Sequence, residues 1–336
     1  MKKREHIMLF SHTFYWGFQR PKLYGKNIFV ERIPSDILSD IINNNISLNI
    51  HLVEEGDIDD TAIKLVETQL TELGISYENV SFTHCCYKFP TTKINAIFSD
   101  MHFNLKSKQA FTLNNTNKLF KGNDNKRKYK FHIPNRRLRN HRIKLLQELF
   151  LYDNNFIDNN LVSFDIDVYS NTEELNKYIK NQKFAEWIFS KKQRRIDESN
   201  MITLDGYNSE FINVYEDSYI TIITETFFYE NFYYMSEKTY KPIMHHHPFI
   251  VFGRPFSLQY LKDIGFKTFH PFINEEYDNI ENNTDRFNAI LHEIKRLDTL
   301  SKDELHDLNK NLNDILVYNQ NLLIERGKNM FKNKFM

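Results

Sequence analysis

Along this chain the apolar positions switch repeatedly between a two-residue period and a period of three to four. The first marks half-buried strands and the second marks amphipathic helices. In the first third, His6–His12, Ile28–Val30, Leu48–Val53, Val80–Cys86 and Ile94–Phe98 read as strands. Ser35–Asn43 reads as a helix with Ile37, Leu38, Ile41 and Ile42 on one side. Asp60–Leu73 is a second helix, with Ile63, Val66, Leu70 and Leu73 inward and Gly74 closing it. Further on, Tyr129–Ile133, Leu161–Ile166, Tyr219–Thr224, Phe249–Gly253 and Phe266–Phe269 carry the strand pattern. The intervening runs Arg142–Tyr152, Thr172–Ile179, Lys183–Ile196 and Pro255–Asp263 are helical in period, and so are Asp285–Leu297 and Ser301–Phe331.

Strands alternating with helices predict an α/β fold with parallel sheets. The polar, Asn- and Lys-rich run Asn114–Lys128 breaks the alternation and reads as a linker. The expected architecture is therefore two Rossmann-like domains, 1–120 and 121–310, with a C-terminal helical segment over 311–336.

The chain's 336 residues are enough for two such domains, and a 41% hydrophobic content supports real cores. Lys and Arg number 44 against 44 Asp and Glu, so no global attraction to nucleic acid or an anionic membrane is implied. No run reaches the ~18 apolar residues of a spanning helix. After the basic start Met1–Glu5, only Ile7–Phe10 is apolar, short of a secretory core. The adjacent pair Cys85 and Cys86 is unsuited to an ordinary structural disulfide, which fits a reducing compartment. A cytoplasmic location is the expectation.

The densest chemistry lies between Ser218 and His270. A strand ends on Glu225, and an aromatic and acidic loop leads to Ser236-Glu237-Lys238-Thr239. Ser236 is placed to cap a helix that ends before Pro248. In open α/β sheets, loops at the carboxyl ends of strands hold the ligands. Upstream, Pro134-Asn135-Arg136-Arg137-Leu138-Arg139-Asn140-His141-Arg142 joins a strand to a helix start, where guanidinium groups and free N–H groups converge on phosphate.

Ser236-Glu237-Lys238-Thr239, followed by Pro248-Phe249-Ile250-Val251-Phe252-Gly253, resembles the donor-binding half of α1,3-fucosyltransferases. Exostosin-like glycosyltransferases carry a related Ser-Glu-Lys. The resemblance covers Tyr129–Phe269 and implies a nucleotide-sugar glycosyltransferase of the GT-B architecture. Its donor would be GDP-fucose or a UDP-sugar, and transfer to an acceptor hydroxyl would invert configuration without a metal or other cofactor. The resemblance implies that Glu237 accepts from ribose hydroxyls and that an arginine near the first strand and helix of the donor domain meets the diphosphate. Here that arginine is Arg142, with Arg139 as the rival. Lys238 and the helix start at Ser236 would add positive charge, and Glu225 would bind the sugar or orient a loop. The eukaryotic members are anchored Golgi proteins. This chain departs from them there and looks like a cytosolic bacterial, phage or viral form.

Inverting transfer needs a general base, which GT-B enzymes supply from the first domain. Asp100, Glu54, Glu55 and Asp57 follow strands there, with Asp100 and Glu55 preferred. His12 and Trp16 follow the first strand and are candidate acceptor contacts, or they cap the sheet. The run His245-His246-His247 cannot converge easily on one metal, because consecutive side chains diverge. Asp165-Ile166-Asp167 has the letters of a manganese-binding pair, but the surrounding order fits a metal-independent site better. No GxGxxG or GxxxxGK[ST] is present, which argues against NAD and P-loop chemistry. The rival reading is a nucleic-acid binder or modifier, including a phage-type DNA glycosyltransferase. It would use the basic segment 126–144 with its interleaved Tyr129 and Phe131.

Overall fold

The computed structural model describes residues 4–10, 27–52, 60–84, 92–166, 176–191, 193–194, 212–229 and 235–332. It has two compact units, the first running to Met101 and the second starting at His102. Each carries its own sheet of parallel strands flanked by helices, a Rossmann-like α/β arrangement.

The first unit contains β1 (Arg4–Phe10), α1 (Ile28–Arg32), α2 (Ser35–Ile42), β2 (Ile46–Leu52), α3 (Asp60–Glu72), β3 (Val80–His84) and β4 (Asn95–Phe98). Its strands are parallel and lie in chain order. Right-handed crossovers between strands laid down in one direction put every helix on the same face. Accordingly Phe29, Leu38, Ile41, Ile63, Val66 and Leu70 pack with Met8, Leu48, Ile50, Val80 and Phe82 in one core. The opposite face of these strands mixes polar residues with the exposed Ile7 and Ile97. There Asn49 donates to Glu5 Oε1 at 3.0 Å and accepts from Thr83 Oγ1 at 3.0 Å.

Residues Ile28–Val30, expected as a strand, form part of α1 instead. The Asn27 side chain caps the helix by accepting from Phe29 N, and Gln69 Oε1 takes the N–H of Ile28. Three apolar residues cannot fix a period, so the cap decided the outcome.

The second unit is built on β5 (Tyr129–Arg137), β6 (Leu161–Asp165), β7 (Gln193–Arg194), β8 (Ser218–Thr224) and β9 (Phe249–Phe252), in the order β7-β6-β5-β8-β9. Only the short edge strand β7 is antiparallel. All of β8 is buried, as befits a parallel strand covered on both faces. Around the sheet lie α4 (Met101–Asn115), α5 (Asn140–Tyr152), α6 (Gln182–Lys191), α7 (Ile212–Asp217), α8 (Glu237–Met244), α9 (Ser257–Asp263), α10 (Asn283–Thr299), α11 (Lys302–Asn311) and α12 (Asn313–Lys332).

Four features of this unit depart from the sequence pattern. Helix α4 has no apolar stripe to announce it, because Lys106, Ser107 and Gln109 are buried along with Phe103, Ala110 and Leu113. The division at Met101 gives α4 to the second unit. The 114–128 run therefore lies inside that unit rather than at its edge, with Leu119, Phe120 and Arg127 buried.

Residues Phe266–Phe269 form no strand. Side chains take their backbone groups instead: Asn319 bonds both N and O of Lys267, and Glu275 accepts from Phe269 N. The helical run after Ser301 is divided at Leu312 into α11, which opens on a Ser301–Glu304 capping box, and α12.

Helix α12 packs on α4 and α8 within the second unit. Gln320 donates to Phe120 O and Met244 O, at 2.6 and 2.8 Å. A Cβ on Gly327 would lie 2.1 Å from Ser107 O, so only glycine lets the α4 backbone come this close. Gly327→Ala is expected to push α4 and α12 apart and destabilise the unit by about 1–3 kcal/mol, read by denaturant unfolding.

Candidate functional site

The chain leaves β5 to one side for β6 and returns on the other side through β8 and β9. The carboxyl ends of β5 and β8 therefore flank the topological switch point of the second sheet, where open α/β folds form a ligand crevice. The sequence-predicted residues Arg139, Arg142, Glu225, Ser236, Glu237 and Lys238 all follow these two strands.

Glu225 is the hub, with only 1% exposure. Its Oε1 accepts from Thr239 Oγ1 at 2.6 Å and Ser236 N at 3.2 Å, and its Oε2 accepts from Thr226 N at 3.1 Å. Its N–H donates to Phe252 O, and Gly253 lets β9 end beside it, since a Cβ there would sit 3.2 Å from Glu225 Cβ. Buried carboxylates persist only when bonded in this way. Both oxygens accept hydrogen bonds from the chain that follows β8, so Glu225 holds that loop and the start of α8 together.

That carboxylate fixes the start of α8. Ser236, fully buried, is the N-cap and accepts from Lys238 N at 3.3 Å. The Lys238 side chain is 20% exposed and turns back over the helix start. Its Nζ lies 3.1 Å from Ser236 Oγ, 3.4 Å from Thr226 Oγ1 and 3.4 Å from Glu237 Oε1. Glu237 is 31% exposed, so an ammonium and a carboxylate stand half-open to solvent at the N-terminal end of a helix. Such an end favours anions through its N–H groups and dipole, and the ammonium adds to this.

The two arginines divide. Arg142 is buried and its Nη2 donates to Thr224 O at 2.8 Å and Glu225 O at 3.0 Å. It clamps the end of β8. Arg139, the N-cap residue of α5, is half-buried with its guanidinium 5.3 Å from the Phe227 ring centroid. Of the two, Arg139 is the less buried.

Two residues that sequence reasoning passed over complete the site. His141 Nε2–H donates to Glu225 O at 3.0 Å, and its ring stacks on Phe228 and Phe252. Burial first, and then the Arg142 charge, push its pKa down to about 3, so it is neutral. Arg286, fully buried, donates through Nε to Gly253 O and through Nη1 to Ile280 O and Glu281 O. Its Nη2 bonds Phe228 O and Asn283 Oδ1, and the guanidinium lies 4.5 Å from the Phe228 ring centroid. Nothing around Arg286 in sequence marks it. Its two most distant partners are 33 and 58 residues away.

Asp100 follows β4 in the first unit and is buried. His12, Trp16, Glu54, Glu55, Asp57, Asp167, Cys85 and Cys86 lie outside the described residues. Among the described residues no group of three or more His, Cys, Asp or Glu is arranged to hold a metal ion. His245 and His247 instead flank the Tyr215 ring, at centroid distances of 4.7 and 5.2 Å.

An open cavity of about 560 Å³ is lined by Lys128, Lys130, Asp153, Asn160, Asp298 and neighbours, where β5 begins. It lies at the opposite end of that strand from the residues above. Comparison of the chain with protein-family models, curated proteins and solved structures finds no match. The class of protein thus rests on architecture, a two-unit Rossmann-like α/β chain of the general kind that binds nucleotides.

Proposed function

We propose that the second unit binds a nucleotide diphospho-sugar at the β5–β8 switch point and that the protein is a metal-independent glycosyltransferase. The observation that carries this reading is the half-open Glu237–Lys238 pair at the start of α8, held in place by the buried Glu225. Departure of a nucleoside diphosphate concentrates negative charge, which the Lys238 ammonium, the α8 N-terminus and Arg139 are suited to stabilise. Glu237 is suited to accept from ribose hydroxyls. Arg142 and Glu225 are positioning residues in this reading, because their polar groups are spent on the ends of β8 and α8. The fucosyltransferase resemblance favours GDP-fucose, with UDP-sugars next. Asp100 and Glu55 remain the base candidates, and His12 and Trp16 the acceptor candidates. No helix among the described residues is long and apolar enough to cross a membrane.

The nucleic-acid alternative loses part of its basis. Arg127 is spent on Ser218 O and His247, Lys126 on Asp303, Lys130 on Asp298 and Arg142 on β8.

A thermal-shift panel of GDP, UDP, CMP and their sugars tests the donor reading, and one nucleoside diphosphate is expected to raise Tm at millimolar concentration. Lys238→Ala should abolish that rise and slow transfer about 100- to 1,000-fold, or ~2.7–4 kcal/mol. Its own unfolding should change little. If no nucleotide raises Tm in the parent chain, or if Lys238→Ala turns over normally, the donor site is not here.

A further inference from the structure

A second electropositive cluster lies along α8. Glu237, Lys241 and His245 succeed one another at four-residue spacing and so share one face of the helix. Helix α4 packs alongside through Phe103, whose ring stacks on Tyr240 at 5.6 Å, and three residues further on it carries Lys106. Lys106 is only 7% exposed, and its one hydrogen bond goes to Gln109 Oε1, a neutral acceptor, at 2.7 Å. The charges of Lys106 and Lys241 both act on His245. From the sheet, His132 faces the same Tyr215 ring that His245 stacks on. Thr221, the register partner of His132 on β8, stands beside it.

This cluster holds buried polar atoms without partners. His132 Nδ1, His245 Nδ1 and Thr221 Oγ1 are buried with no hydrogen-bond partner. Glu237 is the carboxylate that offsets the Lys106 charge, and it is already paired with Lys238. Buried polar groups are ordinarily bonded, and a buried ammonium ordinarily has a counter-charge. A lysine buried beside a second lysine, among unpartnered neutral groups, matches what a bound oxyanion would complete.

We infer that the seam between α4 and α8 holds a tetrahedral oxyanion of the phosphate class, bound by Lys106 and Lys241 with His132, His245 and Thr221 around it. Burial and the neighbouring Lys241 lower the Lys106 pKa to about 8, so at neutral pH the side chain still carries the charge that an anion needs. Lys241 is the partly exposed member, and the site therefore reaches solvent on its side. The inference does not depend on the nucleotide reading, since it concerns Lys106 and Lys241 and not Lys238.

The experiment is thermal denaturation of the full chain with inorganic phosphate, in the parent and in Lys106→Met, Lys241→Gln and Lys238→Ala. Saturating phosphate is expected to raise the parent Tm by about 3–5 °C. Both seam variants should lose that rise, while Lys238→Ala keeps it. Lys106→Met should also melt above the parent when phosphate is absent, because the desolvation cost of a buried ammonium has gone. A parent chain indifferent to phosphate overturns the proposal. So does a phosphate effect that survives in both seam variants, or one that Lys238→Ala removes. If Lys106→Met fails to fold, the half-exposed Lys241→Gln gives the same reading alone.

Discussion

Lowering the pH from 7 to 5 is expected to remove about 6 kcal/mol of stability from the second unit. His132, His141 and His245 are all buried there and neutral, each with a pKa pushed down to about 3, chiefly by burial. An unfolded chain takes up protons at these positions near pH 6.5, whereas the folded chain does not. A histidine whose folded pKa is depressed contributes stability that is present above its unfolded value. That stability is lost as pH falls below 6.5 and continues to fall until the folded pKa is reached. At pH 5 each of the three accounts for about 2 kcal/mol.

His247, also lowered by burial and by Arg127, adds to the same trend. Asp278 opposes it, because burial raises its pKa and its protonation relieves a cost as pH falls. One such group does not offset four histidines. Denaturant unfolding followed by far-UV circular dichroism between pH 8 and pH 5 measures the slope. His245→Phe, which keeps the ring against Tyr215, should flatten it. Stability that is flat across this range would mean that the cluster is solvated in solution.

Arg286→Met is expected to destabilise the second unit by about 3–5 kcal/mol, since several carbonyls lose their donor and each buried one left unsatisfied costs about 1–3 kcal/mol. The substitution strands the carbonyls of Gly253 and Phe228, both buried, along with those of Ile280 and Glu281. The arginine ties the loop after β8 to the end of β9, and with it the surroundings of Glu225 and α8. Loss of nucleotide-induced stabilisation should therefore accompany the loss of stability, although Arg286 has no place among the proposed donor contacts. Arg286→Lys should recover little, since an ammonium cannot reproduce the planar fork that reaches carbonyls on several sides. Unfolding free energies within about 1 kcal/mol of the parent would refute this account of Arg286.

How much of this was legible beforehand depended on how local the cause was. The Ser236 cap was legible because its hydroxyl bonds an N–H two residues away, and such a cap overrides weaker propensities. The burial of β8 was legible as a continuous apolar run. Helix α4 was not. Its inward face carries Lys106, Ser107 and Gln109, and polar residues on a buried face erase the stripe that marks a helix. The strand expected at Phe266–Phe269 failed for a related reason, because Asn319 and Glu275 bond the backbone that a neighbouring strand would have paired.

The sequence by itself determined the alternation of strands and helices, the parallel sheets and the position of Ser236-Glu237-Lys238 at the start of a helix. These follow from period and capping, which act over a few residues. Only the tertiary structure decided that Arg142 is a buried clamp on β8 and Arg139 is less buried, three residues apart in the same basic loop. It also decided that Glu225 is the buried hub and that Arg286 belongs to the site. A charged side chain is spent or available according to the carbonyls and carboxylates that folding brings to it. For Arg142 those partners lie 82 and 83 positions away, for Glu225 they include Ser236, 11 away, and for Arg286 they include Gly253 and Phe228, 33 and 58 away, beyond the reach of any local pattern.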